Sequence, residues 1–164
     1  MTTKTEARPA LRTVHGGEWI SGIVGGLIGS VLFGLVMQFV MPQPVLEMAI
    51  PAMYGIQGPA LLAGWLLHLF HGIVLGVVYV ALVQFGPLRE TAGRIGGSIG
   101  LGVGYGIVTT ALPVFVMPLW LSAVGFAGAP PFPNIAIPGT VVSLLGHVVY
   151  AVPVAVGYAL FRSD

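Results

Sequence analysis

The chain has no cysteine among its 164 residues, which removes disulfide frameworks, thiolate metal sites, iron–sulfur clusters and cysteine nucleophiles from consideration. Charge is nearly as scarce. Asp, Glu, Lys and Arg together make up 7% of the sequence and the formal net charge is +1, so no nucleic-acid surface is expected. Catalytic groupings are missing as well. There is no serine or threonine with a plausible histidine and acid nearby, no paired intramembrane carboxylates, no phosphate loop and no His-Glu-x-x-His pattern. These absences argue against an enzyme.

What the sequence does have is apolar surface: 56% hydrophobic residues and a mean hydropathy of +0.98, far outside soluble globular usage. Four uncharged apolar blocks, roughly 19–41, 59–85, 95–118 and 139–161, each reach the ~20 residues a helix needs to cross ~30 Å of hydrocarbon. The expected fold is all-α: a polytopic membrane protein with four transmembrane helices. The first block is about twice as long as the ~7–15-residue core of a signal peptide, so it reads as a retained span. The expected organisation is a tail over 1–18, a transmembrane hairpin over 19–85, a loop over 86–94 and a second hairpin over 95–161. Lys4, Arg8, Arg12, Arg89, Arg94 and Arg162 all fall on one side of such a bundle, whereas the opposite connections, 42–58 and 119–138, hold only Glu47. The positive-inside rule then places both termini in the cytoplasm of a multi-pass cell-membrane protein.

Two stretches resemble each other. Gly64-Trp-Leu-Leu-His68 continues to Gly72, Gly76 and Tyr79, and Ser143-Leu-Leu-Gly-His147 continues to Ala151, Ala155 and Tyr158. Each histidine lies nine residues after a proline, Pro59 or Pro138. Eleven residues from His to Tyr return to within ~20° of the same helix face. Aligning Gly25-Gly26 with Gly96-Gly97 extends the match to the odd-numbered spans, so the chain reads as two tandem two-helix repeats about a pseudo-two-fold axis along the membrane normal. Small residues at four-residue spacing let helices approach closely. Gly64, Gly72, Gly76, Ser143, Ala151 and Ala155 are the candidate packing set, expected to bring the second and fourth spans together.

Gly64-Trp65, His68, Gly72 and Tyr79, with the upstream Ile50-Pro-Ala-Met-Tyr-Gly55, resemble an uncharacterised family of small four-span archaeal and bacterial membrane proteins with no assigned function. The likeness lies mainly in residues 20–85. Some members carry a histidine-kinase label, but this chain has no soluble ATP-binding domain. The resemblance implies topology and no chemistry.

His68 and His147 are the sharpest constellation, because ionisable groups near mid-membrane are functional candidates. As neutral imidazoles facing each other they would suit the axial positions of a b-type haem. Alternatively each ring simply bonds a carbonyl, a water or another side chain. His71, with His68 and His147, suggests a weaker three-histidine copper or zinc site. Tyr79, Tyr158, Trp19, Trp65 and Trp120 read as interfacial anchors. Gln38, Gln84, Thr109 and Thr110 read as interhelical hydrogen-bonding groups, and Glu47 as a solvated carboxylate. The two apolar connections suggest a lid or a partner surface.

The leading functional expectation is a non-catalytic structural or accessory subunit of a larger membrane assembly, a respiratory complex among the candidates, with the bilayer and other subunits or further copies as partners and no cofactor. The alternatives are a haem b electron-transfer subunit using His68 and His147, and a small-solute transporter or channel.

Overall fold

The computed structural model describes residues 15–41 and 44–162. The tail carrying Lys4, Arg8 and Arg12 lies outside the described residues, as do Pro42, Gln43 and the last two positions. Among the described residues there are helices and no strands. The helices are α1 (Gly16–Phe39), α2 (Ile50–Ala52), α3 (Leu61–Leu82), α4 (Gly86–Ala92), α5 (Ile95–Thr109), α6 (Met117–Ala123) and α7 (Gly139–Phe161), with π-helical turns at Val45–Ala49 and Leu112–Val116. Four helical segments are long and apolar enough to cross a membrane: α1, α3, the continuous Ile95–Ala123 and α7. This is the expected all-α, four-span membrane fold. Three boundaries differ. The first helix starts at Gly16, the expected loop at 86–94 contains α4, and the third span runs on to Ala123.

The third span outlasts its prolines because the backbone widens around them. Pro113 and Pro118 lack an N–H, and the helix between them takes a π turn rather than breaking. An N–H at position 118 would have bonded the carbonyl of Val114. That carbonyl instead accepts the N–H of Asn134 at 2.9 Å. The first connection uses the same device: Pro51 leaves the carbonyl of Glu47 free, and it accepts the N–H of Ala60 at 2.9 Å. In both cases a proline removes one rung of a helix, and a main-chain donor from the descending connection fills the vacancy. The connections are thereby fastened over one end of the bundle, here called the loop end. Trp120 Nε1, in the last turn of the third span, donates to the carbonyl of Met53 at 2.9 Å and ties that span to the first connection.

Packing order in space is α3, α1, α7, α5. The expected direct seam between α3 and α7 is not the main contact, because α1 lies between them. The reason is in α1's glycines, which occupy two faces. Gly22 and Gly26 meet the backbone of Gly76 and Gly72 on α3, while Gly25 and Gly29 meet the backbone of Val154 and Tyr150 on α7. Gly72 and Gly76 therefore pack on α1. Ala151 and Ala155, both fully buried, pack on Gly102 of α5. Gly64 lies under the π turn of the first connection, where a Cβ would run into the carbonyl oxygen of Leu46.

These contacts pair Gly26 with Gly72, and Gly102 with Ala151. Matching Gly26 to Gly102 is a shift of 102 − 26 = 76 residues, against 97 − 26 = 71 for the alignment on Gly97. The same 76-residue shift superposes Phe39-Val-Met-Pro42 on an identical Phe115-Val-Met-Pro118. The α1–α7 contact is extensive, whereas α3 and α5 are not in close packing. That gap is bridged lower down by a tyrosine, Tyr105, whose hydroxyl donates to the carbonyl of Leu75 at 2.8 Å.

Candidate functional site

The unfilled space between α3 and α5 is a chamber of about 730 Å³ at the loop end. All four spans contribute to its wall, and the two connections roof it. Met37, Met41, Met48, Met53 and Met117 all line it, and the sequence has only one other methionine, Met1. Of the many leucines only Leu75, Leu112 and Leu121 do so. His68, His71 and His147 line it too. Both the volume and the apolar character fall in the ordinary range of small-molecule sites.

His68 and His147 thus share one chamber, but Phe33 stands between them. Its ring centroid is 5.7 Å from that of His68 and 4.7 Å from that of His147, edge-on to both. Each imidazole is anchored to a main-chain carbonyl. Nε2 of His68 donates to Ser30 O at 2.8 Å, and Nδ1 of His147 donates to Ser143 O one turn back at 2.7 Å. A haem bridging the pair would have to expel Phe33 from between the two rings, so the residues as placed do not fit that group. His71 turns away to Tyr54, whose hydroxyl oxygen lies 2.6 Å from Nε2, with the two rings stacked. Among the described residues no three of His, Asp and Glu gather as a metal site. Ser143 is buried beside His147 and supplies the carbonyl that holds it.

The other uncharged polar groups mostly serve structure. Trp65 Nε1 donates to Gln38 Oε1 at 2.7 Å, an interhelical bond as expected. Thr109 and Thr110 bond carbonyls of their own helix instead.

The opposite end, which carries Arg89 and Arg162, holds a polar cluster invisible to the sequence reading. Glu18 is fully buried, not part of a tail. Its Oε2 accepts the N–H of His15 at 3.2 Å, closing the first turn of α1. Its Oε1 accepts from Arg89 Nη2 at 3.0 Å and from the Tyr158 hydroxyl at 3.2 Å. Gln84 Nε2 donates to Tyr158 Oη at 3.3 Å, and its Oε1 accepts from Arg89. Arg162 donates to the carbonyl of Arg89 at 2.7 Å. Tyr158 and Tyr79 are consequently not interfacial anchors: they are 0% and 2% exposed. Tyr79 packs edge-on against Tyr105 and Tyr158, and its hydroxyl has no hydrogen-bond partner. A carboxylate just ahead of a span, three residues after a helix-starting His15, was the available signal for Glu18. Nothing local pointed to Arg89.

Comparison with family models, with curated proteins and with solved structures finds no match for this chain.

Proposed function

We propose that this protein is a membrane-embedded binding protein for a small, lipid-soluble molecule held in the chamber at the loop end, a role within the small-solute transporter class. One observation carries the reading: an apolar chamber of about 730 Å³ into which the chain places all five of its internal methionines. Unbranched thioether side chains adapt to varied apolar shapes and recur at permissive binding surfaces. With the basic end in the cytoplasm by charge asymmetry, the chamber faces the outer half of the cell membrane. Below it, Tyr105 and Tyr79 close the path between α3 and α5.

The test is what the purified protein carries. Wild-type protein extracted in mild detergent should yield a lipid-soluble compound in stoichiometric amount by mass spectrometry of organic extracts. The Val74→Trp/Leu112→Trp variant, which fills the chamber from two walls, should fold and yield much less. Equal yield from both proteins, or a wild-type protein that neither carries nor takes up such a compound, would sink this reading.

Assembly with further subunits or copies is the second reading, favoured by a specific face of α5. Gly96, Gly100 and Gly104 are exposed at four-residue spacing, and a Cβ on any of them would meet nothing. The same small-x-x-x-small spacing on α1 is fully used inside the bundle. Gly100→Leu should leave thermal unfolding of the single chain unchanged while lowering the particle mass measured by light scattering. No change in mass would remove α5 as the contact. On this reading the two hairpins are tandem repeats that have diverged, and the resemblance to small four-span proteins adds topology to it and no chemistry.

A further inference from the structure

The polar atoms of the chamber narrow what it accepts. His68 Nε2 and His147 Nδ1 each bond a main-chain carbonyl. A carbonyl oxygen only accepts, so those two nitrogens carry the protons, and His68 Nδ1 and His147 Nε2 keep their lone pairs. Three further polar groups of the wall also bond main-chain carbonyls. The Tyr150 hydroxyl donates to Gly72 O at 2.7 Å, Thr140 Oγ1 to Ala136 O at 3.2 Å and Asn134 Nδ2 to Pro113 O at 3.5 Å. The two imidazole lone pairs match a ligand that donates a hydrogen bond.

Charge and access narrow it further. Among the described residues no Asp, Glu, Lys or Arg lines the chamber, so an ionic ligand would sit in an apolar space without a countercharge. Val74 on α3, and Leu112 and Val116 in the π turn, line the chamber and are also exposed, at 42%, 38% and 50%. These residues flank the α3–α5 gap, where the two helices are not in close packing, and the gap offers a lateral way in.

We infer that the ligand is a neutral, lipid-soluble alcohol or phenol that enters between α3 and α5, lays its apolar body among the methionines and donates its hydroxyl to the free nitrogen of His68 or His147. The inference rests on the chamber being a binding site. A soft monovalent metal ion would also suit thioethers and imidazole lone pairs. The size of the space and the lack of any carboxylate on its wall favour the neutral molecule.

A matched probe pair tests it: para-octylphenol and its methyl ether, alike in apolar body and differing in the O–H. Native mass spectrometry of the full chain should show about tenfold tighter binding of the phenol, the worth of one well-made hydrogen bond in an apolar site. His68→Phe/His147→Phe should bring the two probes level while retaining ether binding; should that variant not fold, the wild-type ratio decides alone. Equal binding of both probes to wild type would overturn the hydroxyl assignment and leave the chamber reading intact. Binding of neither would overturn both. Silver ion binding stoichiometrically and displacing the phenol would show the site to be built for a soft metal instead.

Discussion

Arg89→Ala is expected to destabilise the bundle by about 3–5 kcal/mol, the cost of leaving a buried charge without its partner. Glu18 is 0% exposed, and among the described residues Arg89 is the cation in ion-pair contact with it. Removing the guanidinium leaves the carboxylate, among the described residues, with the Tyr158 hydroxyl and the His15 N–H. The reverse change, Glu18→Ala, should cost less. Arg89 is 15% exposed, and its long side chain can carry its charge to water. This asymmetry separates the buried pair from a surface salt bridge, for which both truncations fall within ~1 kcal/mol. Denaturant titration of the detergent-solubilised protein measures both. Two small, equal losses would show that the Glu18 cluster is solvated in the membrane-bound protein.

Gly72→Leu should abolish the native α1–α3 contact, an effect at or above the ~3 kcal/mol upper end of ordinary overpacking. A Cβ at Gly72 already collides with the Cβ of Ser30 and lies 2.9 Å from the carbonyl oxygen of Gly26. Ser30 is the residue whose carbonyl holds His68, so the damage reaches the chamber as well as the seam. The same change at Gly104 is the control, since nothing lies within 4 Å of its Cβ, and the folded chain should tolerate it. Thermal unfolding of the two variants side by side checks the contrast. Similar melting for both would mean that the α1–α3 backbones are not in contact.

The spans were legible because hydropathy acts along the chain, where a window of residues can be summed. Helix partners were less so. The glycines of α1 announce close packing, but Gly22/Gly26 and Gly25/Gly29 point to opposite neighbours, a division that shows in the sequence only if two faces are sought rather than one. The apolar block over 95–118 reads as ending near Pro118, whereas the helix absorbs Pro113 and Pro118 with a π turn and continues to Ala123. Glu18 was assigned to a tail for want of a visible partner: Arg89 lies 71 residues on. The chamber was hidden for a related reason. Four of its methionines fall within residues 37–53, but the fifth, Met117, and His147 arrive from the other half of the chain. The histidine pair was found early from its motif. What it does depended on Phe33 and on two carbonyls, none of which carries a sequence signature.

The order of helices in space also bears on how the protein is made. During synthesis α1 and α3 emerge first and already match, glycine face to glycine face, so the first hairpin can close in the bilayer unaided. α5 emerges next and finds no close neighbour among them, because its packing partner is α7, which follows it in the chain. Until then its glycine-rich surface faces lipid alone. α7 must then enter between two helices already in place, closing on the vacant side of α1 and capturing α5 in the same step. The 23-residue α7 is therefore the keystone of biogenesis: it turns a finished hairpin and a waiting helix into one bundle.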